Sequence, residues 1–109
     1  MKYKYTLPFD YYYQSDRLIG IEFCNEWIKI QSDGCVRISK GYSWNGCTLA
    51  PDFKETYSAS LIHDALYQFK PCKREVADLI FKDILTIKKF KYRKLYFNAV
   101  RFFGWFFYI

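Results

Sequence analysis

The spacing of the apolar residues changes from strand-like to helical near Glu55, and no other feature constrains the fold of this chain as strongly. Before that point, residues 19–23, 27–30 and 35–38 form short apolar runs that predict strands. Gly34 lies between the last two runs and can supply the positive φ of a hairpin turn. The part of the chain before the change is therefore predicted to be β-rich, after a polar, aromatic lead-in.

Three helical stretches are predicted after the change, and Pro71 breaks the chain between the first and the second. Their apolar stripes contain Tyr57, Leu61, Ala65 and Phe69; Val76, Ala77, Ile80, Phe81, Ile84 and Leu85; and Leu95, Tyr96, Ala99, Val100 and Phe103. We expect one α+β domain in which an N-terminal β-hairpin or meander packs on a core of three helices. Its predicted parts are a β-rich part at residues 1–40, a glycine-containing loop at 41–54 and a helical part at 55–109.

A lone histidine limits the chemistry. His63 is the only histidine among 109 residues, which excludes mechanisms that need two imidazoles, such as two-histidine zinc sites. Tyr67 follows one helical turn later on the same side, whereas Asp64 points about 100° away. His63 can therefore face Asp78 across the predicted helix pair. Asp78 would accept a hydrogen bond from one ring nitrogen and from Tyr67, which leaves the other nitrogen free to take a proton from water.

Asp64 turns toward the glycine-containing loop in this arrangement, where it could join loop carbonyls and waters in holding a hard cation. Calcium suits such a set of oxygen ligands. The same spacing also fits a structural role, in which His63 and Asp78 form a buried pair that ties two helices together and Asp64 is simply exposed. The spacing alone leaves both interpretations open.

Cysteine usage indicates a reducing compartment. The four cysteines, Cys24, Cys35, Cys47 and Cys72, show no Cys-x-x-Cys spacing, and the N-terminus has no apolar stretch of signal-peptide length. We therefore expect free thiols and a cytoplasmic protein. A zinc site made from these cysteines and His63 has no support from the spacing.

The second half of the chain is basic and aromatic. Residues 55–109 contain ten Lys and Arg against five Asp and Glu, which favours an anionic partner such as a membrane surface, although a solvated helix face explains the same charge. The apolar run at 102–109 is too short to cross a bilayer, which takes about 20 residues, so it either packs as core or lies in an interface. Nucleic acid is a less favoured partner, although residues 88–94 interleave basic and aromatic side chains. The residues expected to contact a membrane or protein partner are Lys91, Arg93, Lys94, Arg101 and Trp105.

Residues 63–67, His-Asp-Ala-Leu-Tyr, and residues 77–78, Ala-Asp, resemble the catalytic helix pair of phospholipases A2, which reads His-Asp-x-Cys-Tyr and Cys-Asp. The two cysteines that bridge the helices in that family fall on Leu66 and Ala77, where an apolar contact can replace the disulfide. The disulfide-free phospholipase domains of parvovirus capsids show a similar arrangement. The glycine-rich calcium loop of phospholipases has no counterpart here, because residues 41–48 contain only two glycines and a bulky tryptophan.

A second pattern covers residues 40–104. Its elements are Gly41, Trp44, Asn45, Gly46 and Pro51; Leu61, His63, Asp64, Leu66 and Tyr67; Arg74, Ala77, Asp78 and Phe81; and Ala99, Val100, Arg101 and Gly104. This pattern resembles a family of small phage and prophage proteins of uncharacterised function. Asn45 stands where that family often has Asp.

The two resemblances together imply a phospholipase A2-like helical core with a catalytic set of His63 as general base, Asp78 as its orienting partner and Tyr67. They also imply Asp64 and Asn45 as calcium ligands. The expected function is calcium-dependent hydrolysis of an ester in a phospholipid, in the host cytoplasm or at a membrane surface there. The alternative is a non-catalytic phage protein that binds a host protein, a virion protein or a membrane surface, with the His-Asp pairs kept for structure.

Overall fold

The computed structural model describes residues 3–47, 50–104 and 108. The chain forms two compact units, Met1–Asn45 and Gly46–Ile109, which divide within the loop predicted at residues 41–54. The fold is α+β, as the apolar spacing predicts, because strands in two antiparallel sheets come first and three helices follow them.

Six short strands lie within residues 3–47. They are β1 (Tyr5–Thr6), β2 (Tyr11–Gln14), β3 (Phe23–Cys24), β4 (Ile28–Ile30), β5 (Cys35–Ile38) and β6 (Ser43–Trp44). One antiparallel sheet has the strand order β2-β5-β4-β3, and β1 pairs with β6 in a second sheet. Along β4 and β5, Ile28, Ile30, Val36 and Ile38 are buried while the residues between them are not, as expected when side chains alternate between the two faces of a sheet.

The predicted hairpin is confirmed, since Gly34 takes a φ of +89° in the turn that joins β4 to β5. The strand predicted at residues 19–23 is wrong over most of its length. A 3₁₀ helix at Asp16–Leu18 and a turn at Gly20, with a φ of +88°, precede a strand that begins only at Phe23. The aromatic lead-in instead supplies β1 and β2. These strands were not predicted, because a run of tyrosines has no alternation of apolar and polar residues that would indicate a strand.

Three helices form the second unit, in agreement with the predicted helical period. They are α1 (Tyr57–Phe69), α2 (Arg74–Ile87) and α3 (Arg93–Phe103), and a 3₁₀ turn at Lys54–Thr56 precedes α1. Helix α1 ends where Lys70 takes a left-handed φ of +53°, directly before Pro71. Over the described ranges, every helix is too short or too polar to span a lipid bilayer.

The apolar stripe of α2 is largely buried as predicted, the stripe of α1 is buried only in its middle, and the stripe of α3 is mostly not buried. Leu95 and Phe103, both predicted to face the core, are 65% and 47% exposed. Tyr96 is buried, and its hydroxyl donates to the Pro51 carbonyl at 2.7 Å. Phe102, the first residue of the apolar tail, is 76% exposed. The described start of the tail is therefore not core.

Candidate functional site

His63 on α1 and Asp78 on α2 meet across the first two helices. The Nε2 atom of His63 lies 2.7 Å from Oδ1 of Asp78, and the two residues are 7% and 0% exposed. An ionised carboxylate can only accept hydrogen bonds, so Nε2 of His63 carries the ring proton and donates a hydrogen bond to Asp78. The other ring nitrogen, Nδ1, is then the unprotonated one and is able to accept a proton.

The register of the two helices is antiparallel, as the helix-pair interpretation requires. His63 pairs with Asp78, and one turn further along α1 the hydroxyl of Tyr67 is 3.4 Å from Nη1 of Arg74, one turn earlier on α2. A four-residue spacing on each helix places these side chains on one face. The sequence therefore brings the four side chains together at the α1–α2 interface.

Asp78 is the centre of a cluster that involves all three helices. Besides His63, its Oδ1 accepts from the Tyr67 hydroxyl at 2.5 Å, and its Oδ2 accepts from Nη1 of Arg101 on α3 at 2.8 Å. Arg74 lies further away, with Nη1 at 3.4 Å from Oδ2. A carboxylate has about four acceptor positions, so the donors around Asp78 occupy its full capacity.

Arg74 extends the cluster to the backbone of α3. Its Nη1 donates to the carbonyl of Val100 at 3.0 Å, and its Nη2 donates to the carbonyl of Arg101 at 3.1 Å. Gly104 makes this close approach possible, because a Cβ there would collide with the Tyr67 hydroxyl and lie 3.0 Å from Nη1 of Arg74. The Arg74–Asp78 spacing of four residues is a sequence signal that could have identified this pair, although the sequence analysis did not predict it. No comparable signal marks the pairing of Arg101, which comes from a distant helix.

Burial sets the protonation of the cluster. Burial lowers the pKa of the His63 imidazole, the Asp78 carboxylate opposes this change, and the charge of Arg74 adds to it. His63 is therefore neutral at neutral pH. Burial also raises the pKa of Tyr67, with Asp78 contributing in the same direction, so that the hydroxyl keeps the proton that it donates.

A cavity of about 60 Å³ opens beside His63. Asp64 from α1 and the loop residues Gly46, Cys47 and Ala50 line it together with His63, so Asp64 is directed toward the glycine-containing loop as expected. Burial raises the pKa of the Cys47 thiol to about 11, which makes this cysteine a poor nucleophile at neutral pH. The other side of the cavity is apolar and includes Phe81.

Asp52 shapes the loop at the edge of this cavity, and sequence reasoning did not single it out. Its Oδ1 accepts from the backbone N–H of Cys47 at 2.7 Å. Gly46 has a φ of +74°, and a Cβ at this position would come within 2.6 Å of Oδ1 of Asp52. The glycine therefore allows the carboxylate to contact the loop backbone.

The described side chains do not fit a calcium site by themselves. Calcium takes about six to eight oxygen ligands, with several carboxylates in most sites. Among the described residues, no group of three or more His, Cys, Asp or Glu could hold a metal, and Asp64 is the one carboxylate among the cavity-lining residues. Asn45, the other expected ligand, belongs to the first unit, where its Oδ1 accepts from the backbone N–H of Lys4 at 3.1 Å. Calcium binding stays a prediction from the resemblance.

The residues expected to contact a partner are not all exposed on one surface. Lys91 and Lys94 are exposed, whereas Arg93 is half-buried and donates to the Phe90 carbonyl at 3.2 Å. Arg101, expected at a partner surface, instead lies against Asp78 with its side chain 32% exposed. Trp105 lies outside the described residues.

Fold and site together define an α+β protein whose helical unit is organised around a buried histidine–aspartate pair next to a small cavity. The chain belongs to the family described as Protein of unknown function (DUF1353), whose family model matches residues 42–100. The matched range contains His63, Asp64 and Asp78 and ends directly before Arg101. Comparison with curated proteins and with solved structures found no significant match in either set.

Proposed function

We propose that this protein hydrolyses an ester by means of a water molecule that His63 activates, with phospholipids as the substrate class that the resemblance implies. One observation supports the proposal above all others. The Nε2–H of His63 donates a hydrogen bond to Asp78 at 2.7 Å, and His63 lines a cavity of about 60 Å³ together with Asp64. A buried base of fixed tautomer beside a space that can hold water is the arrangement that general-base catalysis needs.

The proton has a defined path in this mechanism. Nδ1 of His63 takes a proton from water while the water oxygen bonds to the ester carbonyl carbon. The imidazolium then returns that proton to the leaving alkoxide as the carbon–oxygen bond breaks. The negative charge of Asp78 stabilises the imidazolium between these two steps. General-base catalysis of this kind contributes about 10²- to 10⁴-fold in rate.

The surroundings of His63 are suited to this role. Its lowered pKa keeps the imidazole unprotonated at neutral pH, so that the base is available without a prior proton loss. The two arginines hold the carboxylate in place. The cavity is smaller than the roughly 300 Å³ at which ligand pockets begin. It therefore accommodates the water and the reacting group, while the rest of a lipid lies outside.

The decisive variant is His63→Gln. The amide nitrogen of Gln can occupy the place of Nε2 and still donate to Asp78, but no atom then replaces the basic Nδ1. We expect fatty-acid release from phosphatidylglycerol vesicles to fall by about 10²-fold or more, while the melting temperature stays near that of wild type. Release is measured by titration of the liberated acid, with calcium and with a chelator in parallel.

Phe81→Leu is a matched control, because it alters the apolar lining of the cavity and removes no hydrogen-bond partner of His63 or Asp78. We expect this variant to keep measurable turnover. Absence of acid release by the wild-type protein under both metal conditions, or equal release by His63→Gln, would contradict the proposal.

The alternative function is a non-catalytic phage protein that binds a host protein, a virion protein or a membrane surface. The observation that favours it is that side chains from the three helices fill the hydrogen-bonding capacity of Asp78. A fully satisfied polar cluster of this kind holds helices together in a purely structural role. In that case Tyr67→Phe and Arg101→Gln should lower the melting temperature, and partner binding should survive in every variant that folds. The four free cysteines support the host cytoplasm as the location for either function.

A further inference from the structure

The face of the sheet opposite the apolar core carries an unusual set of side chains. A cavity of about 170 Å³ is lined by Tyr12 of β2, Lys29 of β4, Gln31 just after β4, and Cys35 and Arg37 of β5. All five project from the same side of the sheet, because Tyr12 and Lys29 are direct cross-strand partners of Arg37 and the other two lie two residues along from Lys29 or Arg37. A single water needs about 15 Å³, so the cavity has room for a polyatomic ion.

The pairing of the strands places two cations side by side. Arg37 is the direct cross-strand partner of Lys29 on one side and of Tyr12 on the other. Side chains at directly opposed positions of an antiparallel pair have their Cβ atoms about 5 Å apart, and like charges there destabilise the sheet. The fold therefore maintains a repulsion between Lys29 and Arg37.

The guanidinium of Arg37 also lacks a hydrogen-bond acceptor. Its Nε atom is buried and has no hydrogen-bond partner among the described residues. No carboxylate of the described residues forms an ion pair with Arg37 or Lys29. A buried donor that loses its water and gains no acceptor destabilises the fold, and more so when it is charged. Two opposed cations beside an open cavity indicate a place that an anion can occupy.

We infer that this face of the sheet binds a phosphate group. The terminal Nη groups of Arg37, which lines the cavity, form a planar fork that matches two oxygens of a phosphate. Lys29 supplies a second positive charge, so that the pair balances a phosphate dianion, and the Gln31 amide can donate to a third oxygen. The phosphate relieves the repulsion between the two cations.

Tyr12 gives the site a flat aromatic edge. Its side chain is 63% exposed and stands directly beside Arg37 in the sheet. An exposed ring next to a phosphate position can stack on the base of a nucleotide. The phosphate group is the shared chemistry, and the two sources to separate are free phosphate and a nucleoside monophosphate.

The test is a titration of the full chain, labelled with ¹⁵N, with inorganic phosphate at constant ionic strength, followed by NMR. The Arg37 Nε–H signal and the amide signals of β4 and β5 should shift in a saturable manner. The same range of sodium chloride should leave them unchanged. The proposal is overturned if the Arg37 Nε–H signal does not move with phosphate, or if chloride moves it equally.

Variants separate the site from general charge effects. Arg37→Gln and Lys29→Gln should each weaken phosphate binding about tenfold or more, because each removes a charged hydrogen bond to the ligand. Lys40→Gln is the matched control, since it removes the same charge from the same unit at a residue that does not line the cavity. Equal weakening by Lys40→Gln would overturn the proposal. If Arg37→Gln does not fold, the Lys29→Gln result and the wild-type titration still decide the matter.

A second arm compares phosphate with adenosine monophosphate, in wild type and in Tyr12→Leu. Tighter binding of the nucleotide that disappears in Tyr12→Leu identifies a nucleotide as the source of the phosphate. Equal binding of both ligands, unaffected by Tyr12→Leu, identifies the phosphate group alone as the ligand. Binding of the nucleotide that survives Arg37→Gln would contradict the assignment.

Discussion

The helical unit and the sheet unit differ in how their charged side chains are paired. In the helical unit, the Asp78 carboxylate has no solvent exposure and accepts hydrogen bonds from His63, Tyr67 and Arg101. In the sheet unit, the buried Nε–H of Arg37 has no acceptor among the described residues, and a second cation stands opposite it. The first arrangement is complete within the protein, whereas the second is completed by a ligand. Removing a charge should therefore have opposite effects on stability in the two units.

The largest effect is expected for Asp78→Asn. This change leaves the guanidiniums of Arg74 and Arg101 without their carboxylate, and breaking a buried pair in this way destabilises by about 3–5 kcal/mol. The free energy of unfolding, measured by urea titration, should fall by this amount. Glu75→Gln is the control, because Glu75 is exposed on the same helix and should change stability by less than about 0.5 kcal/mol. A loss no larger than that of Glu75→Gln would remove the contrast between the two units.

A smaller loss is expected for Gly104→Ala. The added methyl group collides with the Tyr67 hydroxyl and crowds Arg74, and overpacking of this kind destabilises by about 1–3 kcal/mol. Backbone strain does not contribute, since Gly104 has a φ of −62°. Calorimetric melting of Gly104→Ala in wild type and in Tyr67→Phe measures the contact directly. The penalty should shrink in Tyr67→Phe, and an equal penalty in both backgrounds would show that the hydroxyl is not what the methyl group meets.

The pH dependence of stability should report the buried histidine. The pKa of His63 is lowered from 6.5 in the folded state, so the unfolded chain binds the additional proton first as the pH falls. The stabilisation is complete above about pH 6.5 and decreases below it, by at most about 1.4 kcal/mol per pH unit. The free energy of unfolding, measured by urea titration between about pH 5 and 7.5, should therefore change more steeply with pH in wild type than in His63→Gln. Identical pH profiles would mean that His63 does not titrate differently on folding.

Local patterns in the sequence were sufficient for much of the helical unit. The helical period predicted α1 and α2, and the spacing of His63, Tyr67 and Asp78 predicted which side chains meet. These contacts lie between consecutive helices joined by a short connection, so that position on a helix face nearly determines them. Arg101 could not be placed in this way, because its contact with Asp78 depends on how α3 packs.

The sheet unit was harder to predict for a physical reason. Strand pairing depends on partners far apart in the chain, and the tyrosine run around Tyr12 has no alternation of apolar and polar residues to mark β2. Gly20, with a φ of +88°, interrupts the apolar run at residues 19–23 that was predicted as a strand. The opposition of Lys29 and Arg37 also depends on the strand register, which the sequence does not display.

The smallest predicted effect is also the one that separates the two units by sign. Lys29→Gln removes one of two opposed cations, and the relief of repulsion between cross-strand neighbours is worth about 0.2–1 kcal/mol. We expect this variant to unfold at slightly higher urea than wild type at low salt, and the difference to shrink as salt screens the charges. Saturating phosphate should reverse the order, because the wild type gains more from the ligand than the variant does. A variant that is less stable than wild type without phosphate would mean that Lys29 stabilises the sheet, and the two units would then follow the same rule.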